Sequence, residues 1–347
     1  MLRQHHIDQI KEELDYCKRP IFFFHDDPDG STSFMQLLHY KGEGKGIIIK
    51  AAPLVDLKFA RKVKEYGADK VFVLDLAMVD QDFIDAIKIP VVWLDHHAPQ
   101  KRLNVKYINP REWGENVPPC FMAWQVVHNP KDLWIAMIGA IGDWFLPPFQ
   151  KEFSDKYPDL LPQLFDKPED VMFNTPVGEL VRVLSFNLKG STDDALTSIK
   201  VFSRIETPYE ILRQESSRGR FLWRKYLKVK KAYDELKKDV EKSYNKDDLF
   251  FVHTYADDRL ALSKDLSNEL IYLYPDKVII LAREKSGEMK CSLRSSRNGP
   301  ILNTAVQEAV HGLIGATGGG HEHACGANIK KEDFDSFVTK LRKACAR

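Results

Sequence analysis

The chain has 347 residues, 44% of them hydrophobic, which is enough for two domains that each bury a core. Its 51 lysines and arginines nearly balance 50 aspartates and glutamates, so bulk charge excludes itself as a means of attracting a polyanion, and any such partner needs a local basic patch. Five widely spaced cysteines (Cys17, Cys120, Cys291, Cys325, Cys345) with no CxxC pair disfavour a disulfide framework and a structural zinc site, and they fit a reducing cytoplasm.

The N-terminal stretch MLRQHHIDQIKEELDYCK reads as an amphipathic helix with no signal-peptide core. No apolar stretch approaches the roughly 20 residues of a membrane span. A soluble, cytoplasmic protein is expected. In the first half, a short apolar run is repeatedly followed by a polar or glycine-containing break and then a helical pattern. The runs are IFFF (21–24), GIII (46–49), VFVL (71–74) and VVWL (91–94), separated by stretches such as VDLKFARKVKEYG (55–67). Continuous apolar runs suit strands buried on both faces, so the predicted fold class is α/β, with a parallel sheet carrying helices on each side.

In such sheets ligands gather at the carboxyl ends of the strands. The residues just past the runs are His25, Asp27 and Asp29, then Asp75, then Asp95, His96 and His97. LWIAMIGAIGDW (133–144) is an apolar helix pattern ending in Gly142 and Asp143, and that aspartate can join the same edge.

Residues 150–205 read as helical: GELVRVLSFNLKG stops at Gly190, and STDDALTSIKVF restarts after an N-cap at Ser191 or Thr192. A long charged helix follows over 210–244, with Phe221, Leu222, Leu227, Tyr233 and Leu236 as its apolar positions. Arg213, Arg218, Arg220, Arg224, Lys225, Lys228, Lys230 and Lys231 stand there against few acids, with Phe221, Trp223 and Tyr226 interleaved. Such a stretch either tracks a nucleic-acid strand by phosphate contact and stacking, or is a solvated helix face whose apolar residues dock on a domain.

After Asn245, DLFFVHTY (248–255), KVIILARE (277–284) and EMKCSLRSS (288–296) read as strands, with a helix, SKDLSNELIYLY, between the first two. ILNTAVQEAVHGLIG (301–315) is a helix running into a glycine stretch, GATGGGHEHACGANI. The expected organisation is an N-terminal domain over 1–205, a helical linker over 206–245 and a smaller C-terminal α/β domain over 246–347.

HDDPDG (25–30) crowds three carboxylates and an imidazole into one turn. Like charges at that spacing repel, and a pair of divalent cations offsets them, with a shared carboxylate between the two. Asp75, alone at its strand end, suits the shared position. Taken singly, Asp75 or Asp143 is an ordinary turn aspartate; recurrence at successive strand ends is what favours chemistry. No HExxH occurs, and neither a P-loop nor GxGxxG follows the first strand, which disfavours a zinc protease, ATP hydrolysis and dinucleotide binding. The oxygen-rich set suits manganese or magnesium better than zinc.

In the C-terminal part, Gly318, Gly319 and Gly320 present backbone N–H groups with no Cβ to block a ligand, and His321 can offer a hydrogen bond or charge to phosphate. Arg294, Ser295 and Ser296 stand at a predicted strand end, so these seven residues read as a substrate clamp facing the metal site across a cleft.

HDDPDG (25–30), Asp75, DHH (95–97), GD (142–143) and GGGHEHACG (318–326) together resemble, in the same order, the DHH phosphoesterase superfamily with its DHH-associated C-terminal domain. The resemblance runs over nearly the whole chain, and the short first motif followed by Ser31 is similar to the RecJ-like and archaeal branch. It implies a two-manganese, or magnesium, phosphoesterase. His25, Asp27 and Asp75 would hold one metal, and Asp29, Asp75, His96 and Asp143 the other. His97 would contact the scissile phosphate and Asp95 would orient the histidines.

VPPCFMAW (117–124) departs from the small, serine-rich stretch of the family, and Asp26 is an additional carboxylate. The expected function is hydrolysis of short or single-stranded oligonucleotides to mononucleotides, of the exonuclease or nanoRNase type. The alternatives are adenosine bisphosphate, cyclic dinucleotides, pyrophosphate and polyphosphate as substrates, or a non-catalytic replication scaffold. The expected partner is an oligonucleotide, with no membrane, and a homodimer is compatible with the sequence.

Overall fold

The structure, a computed structural model, describes residues 1–50, 54–256 and 260–346. The chain divides into two compact units, Met1–Leu227 and Lys228–Arg347, each with its own five-stranded sheet.

The strands of the first unit are β1 (Pro20–His25), β2 (Lys45–Ile49), β3 (Leu54–Val55), β4 (Lys70–Leu74), β5 (Met78–Val79), β6 (Val91–Leu94) and β7 (Lys106–Ile108). The main sheet runs β2-β1-β4-β6-β7 with every pair parallel, and β3 and β5 form a separate short pair. Alternation along β1 explains its continuous apolar run. Phe23 packs on Phe59 and Phe83, whereas Phe22 and Phe24 pack on Phe34. Both sheet faces are therefore covered, and each fully buried side chain of this kind contributes roughly 1.5–3 kcal/mol.

The register aligns the strand ends. Phe24 lies beside Leu74, Leu74 beside Leu94, and Leu94 beside Ile108. One step further, His25, Asp75, Asp95 and Asn109 form a row at the carboxyl edge. The N–H of Asp75 still donates to the Leu94 carbonyl (3.0 Å), and that of Asp95 to the Ile108 carbonyl (3.2 Å). Because β2 lies on one side of β1 and β4 on the other, the chain reverses its winding at β1, where α/β sheets open a crevice.

Two glycines let the helices approach this edge. A Cβ on Gly30 would meet the His25 backbone at 2.7 Å, so the helix Pro28–Lys41 starts tight against the end of β1. A Cβ on Gly142 would meet Pro28 at 2.6 Å, which brings the end of the helix Leu133–Gly142 alongside.

The charged stretch after residue 205 is two helices, Tyr209–Leu212 and Ser217–Glu241, separated at Gln214, whose φ is +56°. The long one begins in the first unit and continues in the second. The second unit contains β8 (Phe250–Tyr255), β9 (Val278–Lys285), β10 (Glu288–Arg294), β11 (Thr317–His321) and β12 (Ala324–Lys330), in the order β11-β12-β10-β9-β8. Only β8 and β9 are parallel.

The glycine stretch is thus a hairpin: Gly318, Gly319, Gly320 and His321 lie in the edge strand β11, and the chain turns at Glu322 and His323. Glycine lacks the side chain on which strand periodicity is read, which hid β11. The helix Leu302–Val310 ends before Gly312 and Gly315, both at φ +77°, and so is shorter than the 301–315 expected. Among the described residues no helix is long and apolar enough to cross a membrane.

Candidate metal centre

The carboxyl edge of the first sheet gathers three groups of side chains that could hold metal ions: His25, Asp27 and Asp75; Asp29, His96 and Asp143; and Asp75, His96 and His97. Within each, one ligand atom per residue lies within 4.8 Å of the others. His25 Nδ1 is 2.9 Å from Asp27 Oδ2 and 3.2 Å from Asp75 Oδ2. The other oxygen, Asp75 Oδ1, is 3.4 Å from His96 Nε2, so the two oxygens of one carboxylate face two different histidines. Asp29 Oδ2 lies 3.8 Å from His96 Nε2, and Asp143 Oδ2 lies 3.6 Å from His96 Nδ1. All six residues expected as ligands meet here.

Local structure fixes each one. Asp27 caps the helix Pro28–Lys41, its Oδ1 accepting from Gly30 N at 3.1 Å. Asp29 Oδ1 accepts from Cys120 N at 2.6 Å, at the start of the helix Pro119–Val127. Asp75 holds a φ of +56°, a conformation that non-glycine residues adopt at a cost and chiefly at functional positions. Asp143 stands at the C-terminal end of its helix, where the dipole disfavours a negative charge. That placement argues for a function other than stabilising the helix.

The electrostatics fit cations. Asp29 is pushed well above the carboxylate range, by burial first and then by Asp75 and Asp143. Burial acts to lower the pKa values of His25 and His96. The carboxylates outweigh it, Asp27 foremost for His25 and Asp143 for His96, and both histidines sit well above their ordinary range. Burial also raises Asp26, whose Oδ1 is 3.6 Å from His25 Nε2 and whose Oδ2 is 3.8 Å from Lys50. Asp29 Oδ2 is buried without a hydrogen-bond partner. Crowded carboxylates that raise neighbouring pKa values, together with an orphaned buried oxygen, are what hard divalent cations satisfy, so the residues present fit a two-cation site.

Behind the cluster, fully buried Asp95 accepts from His97 Nδ1 at 2.7 Å through Oδ1. Its Oδ2 accepts from Tyr107 OH (3.0 Å) and Asn109 Nδ2 (3.3 Å). Burial, then Asp95, raises the Tyr107 hydroxyl. Asn116 Oδ1 lies 3.2 Å from His96 Nδ1. Sequence reading missed Tyr107, Asn109 and Asn116. A short strand at KYI, in register with VVWL, was the one signal for the first two.

In the second unit, Arg294 donates from Nε to Asn268 Oδ1 at 2.6 Å. Burial pulls its pKa down to about 10, against the opposing charge of Asp265. Ser295 Oγ donates to the Pro300 carbonyl at 2.7 Å and sits 3.0 Å from His323 Nδ1, which must then be the donor to Ser295. Ser296 accepts from Gly299 N through its carbonyl. His321 is exposed in β11. His323 was not singled out from the sequence.

Of the aromatic residues of the long helix, Phe221 and Trp223 are half-buried, whereas Tyr226 and Tyr233 are covered and out of reach of a base. Tyr226 is buried against Phe186 and Trp223, and Tyr233 is buried with its hydroxyl on Glu269.

Comparison with known proteins agrees with this architecture. Residues 254–347 match the DHHA1 domain family. A search of curated proteins found no match. Among solved structures, RecJ in complex with Mn2+ from Thermus thermophilus is similar with a TM-score of 0.71 at 15% identity, over 99% of this chain and 54% of that one. The present chain therefore spans about half the length of that protein. Exonuclease RecJ bound to manganese gives 0.62 at 14% identity, over 99% and 94%. A DHH domain described as a member of the s1p family of ribosomal proteins gives 0.67 at 17%, over 98% and 89%. The chain accordingly shares the fold of these RecJ and DHH-domain structures, and its residues 254–347 match the DHHA1 domain family.

Proposed function

We propose that the protein is a two-metal phosphodiesterase that hydrolyses short or single-stranded oligonucleotides to mononucleotides, with manganese or magnesium as its ions. The observation that carries this reading is the meeting of three histidine and carboxylate groups at one sheet edge, with Asp75 in two of them. In this reading His25, Asp27 and Asp75 hold one ion, and Asp29, Asp75, His96 and Asp143 the other. Bound divalent cations supply positive charge to a phosphoryl group and its leaving oxygen and acidify a water.

The protein's own groups then orient the substrate. Asp95 takes the Nδ1–H of His97, which leaves Nε2 to face a phosphate, and in the doubly protonated ring its N–H donates to a phosphate oxygen. Arg294, a buried cation, together with Ser295, Ser296, Gly318, Gly319, Gly320 and His321, offers groups suited to a phosphate or a nucleotide end. Residues 1–205 carry catalysis, 206–245 connect, and 246–347 bind substrate. The similarity to RecJ structures solved with manganese supports both the ion and the substrate class.

A substrate panel tests the reading. Purified protein with manganese, then magnesium, is offered 5'- and 3'-labelled DNA and RNA from dinucleotides to long single strands, alongside adenosine bisphosphate, cyclic dinucleotides, pyrophosphate and polyphosphate. Mononucleotide release from the short strands, abolished by EDTA, is expected. Hydrolysis of only the small phosphates would move the assignment to them. Hydrolysis of none would leave a non-catalytic scaffold.

A further inference from the structure

The helix Leu133–Gly142, which leads into the proposed ligand Asp143, closes in an arrangement that favours glycine. The Trp144 N–H donates to the Ile141 carbonyl at 3.1 Å and the Phe145 N–H to the Ala140 carbonyl at 2.9 Å, the paired hydrogen bonds of a helix stop whose turning residue is left-handed. That residue is Trp144, at φ +56°. Glycine takes this conformation without cost, whereas the Cβ of any other residue crowds the following carbonyl. The ring is also only half-buried, unlike Phe24 and Trp93, which stand close before His25 and Asp95 and are fully covered. Phe173, in the helix Pro168–Asn174, braces it with ring centroids 5.9 Å apart and planes 36° from parallel. The Arg182 guanidinium lies 6.0 Å from the Phe173 centroid. A Cβ on Gly142 would come 3.4 Å from Val181 Cγ1, so the helix Pro176–Asn187, which carries Arg182, runs alongside.

We propose that Trp144 is the platform on which a nucleobase stacks when its own phosphate sits at the metal centre. This rests on the phosphodiesterase reading and narrows it: the site takes nucleotides, whereas pyrophosphate and polyphosphate lack the group that Trp144 holds. Trp144 follows Asp143 in the chain, with Cα atoms about 3.8 Å apart, so carboxylate and indole lie within the span of one nucleotide. Every base has a π-face, so the indole recognises a base as such and is tolerant of which one it meets. The Arg182 cation over the Phe173 ring extends the stack behind the indole. Packing alone explains neither the left-handed backbone nor the uncovered part of the ring. A strained, partly exposed aromatic beside a candidate ligand is instead what a substrate contact requires.

The test uses the full chain labelled with 5-fluorotryptophan, in magnesium, with the Trp144 fluorine resonance assigned by its absence from Trp144→Phe. AMP and ribose 5-phosphate present the same phosphate with and without a base. The Trp144 resonance should shift with AMP and stay in place with ribose 5-phosphate, a result that needs no hydrolysis and survives failure of the phosphodiesterase reading. In hydrolysis of dinucleotides, removing the base next to the cleaved phosphate should raise KM by about 5- to 150-fold. That gap should close in Trp144→Gly and largely persist in Trp144→Phe, which keeps an aromatic face. Glycine suits the backbone here, and a melting temperature near that of the wild type checks that Trp144→Gly is folded. Absence of an AMP-dependent shift up to millimolar concentration overturns the proposal, as does an equal shift with ribose 5-phosphate. A KM gap that persists in Trp144→Gly overturns it too. Hydrolysis of dinucleotides without the shift would leave the phosphodiesterase reading standing and remove Trp144 from it.

Discussion

The backbone N–H of Cys120 donates to Asp29 Oδ1 at 2.6 Å, while Asp29 Oδ2, equally buried, has no hydrogen-bond partner. One oxygen serves the fold, and the other is the one proposed to meet a cation. In Asp29→Asn the amide oxygen keeps the Cys120 bond, and one negative charge leaves a cluster in which Asp75 and Asp143 repel it. Metal-free protein should therefore be stabilised by about 1 kcal/mol or more, as when a functional site carries electrostatic strain. Stabilisation by manganese and hydrolysis should both fall. Thermal melts with EDTA and with manganese measure this. A lower melting temperature in EDTA together with an intact manganese response would refute it.

Asp75 has one oxygen toward His25 and the other toward His96. If it serves two ions at once, Asp75→Asn should cost more than loss of any ligand that serves one. Removing about 4 kcal/mol of charge stabilisation corresponds to about 10^3-fold in kcat. Manganese titration followed by electron paramagnetic resonance should show the bound ions falling by more than one. Wild-type manganese content and turnover in this variant would rule out a shared carboxylate.

His39 ties the helix Pro28–Lys41 to two distant segments, its Nδ1 lying 2.8 Å from Asp132 Oδ1 and its Nε2 2.7 Å from the Ser203 carbonyl. Both partners are acceptors, so both ring nitrogens must carry protons. Burial opposes this charge, but Asp132 outweighs it and raises the His39 pKa. A raised pKa stabilises the fold fully below the unfolded value of about 6.5 and loses that contribution as pH climbs through the folded value. The stability difference between wild type and His39→Gln should be about 1–3 kcal/mol near pH 6 and shrink in alkali. Urea denaturation across pH checks it, and a difference that grows with pH would contradict it.

The fold was legible wherever burial is continuous. β1, β2, β4 and β6 announce themselves as apolar runs because both faces of the parallel sheet are covered, and the candidate ligands were legible because all but Asp143, which ends an apolar helix, follow such a run. β7 has three residues and an exposed first one, so Asn109 and Tyr107 acquire meaning only through its register with β6. The edge strand β11 is three-fifths glycine, and nothing in its composition separates a strand from a turn. In the long helix the sequence showed basic and aromatic residues interleaved. Packing then sorted them, with Tyr226 and Tyr233 inward and the cations outward.

Asp95 receives two hydrogen bonds on Oδ2, from Tyr107 and Asn109, and one on Oδ1, from His97. That asymmetry dictates what Asp95→Asn does. The amide oxygen must stay with the two donors, so its NH2 turns toward His97, and Nδ1 has to become the acceptor. The single ring proton then sits on Nε2, so the ring can no longer carry the second proton, and with it the positive charge, while it faces the phosphate. Disrupting the partner behind a site histidine typically costs 10- to 100-fold in affinity or activity, so kcat should fall by about that factor. Metal content should change little. Tyr107→Phe removes one of the two donors on Oδ2 and leaves the His97 bond, so its effect should be much smaller. Nitrogen-15 chemical shifts of His97 report the tautomer directly. Full turnover in Asp95→Asn with the proton on Nε2 would show that a proton on Nδ1 of His97 does not matter to the reaction.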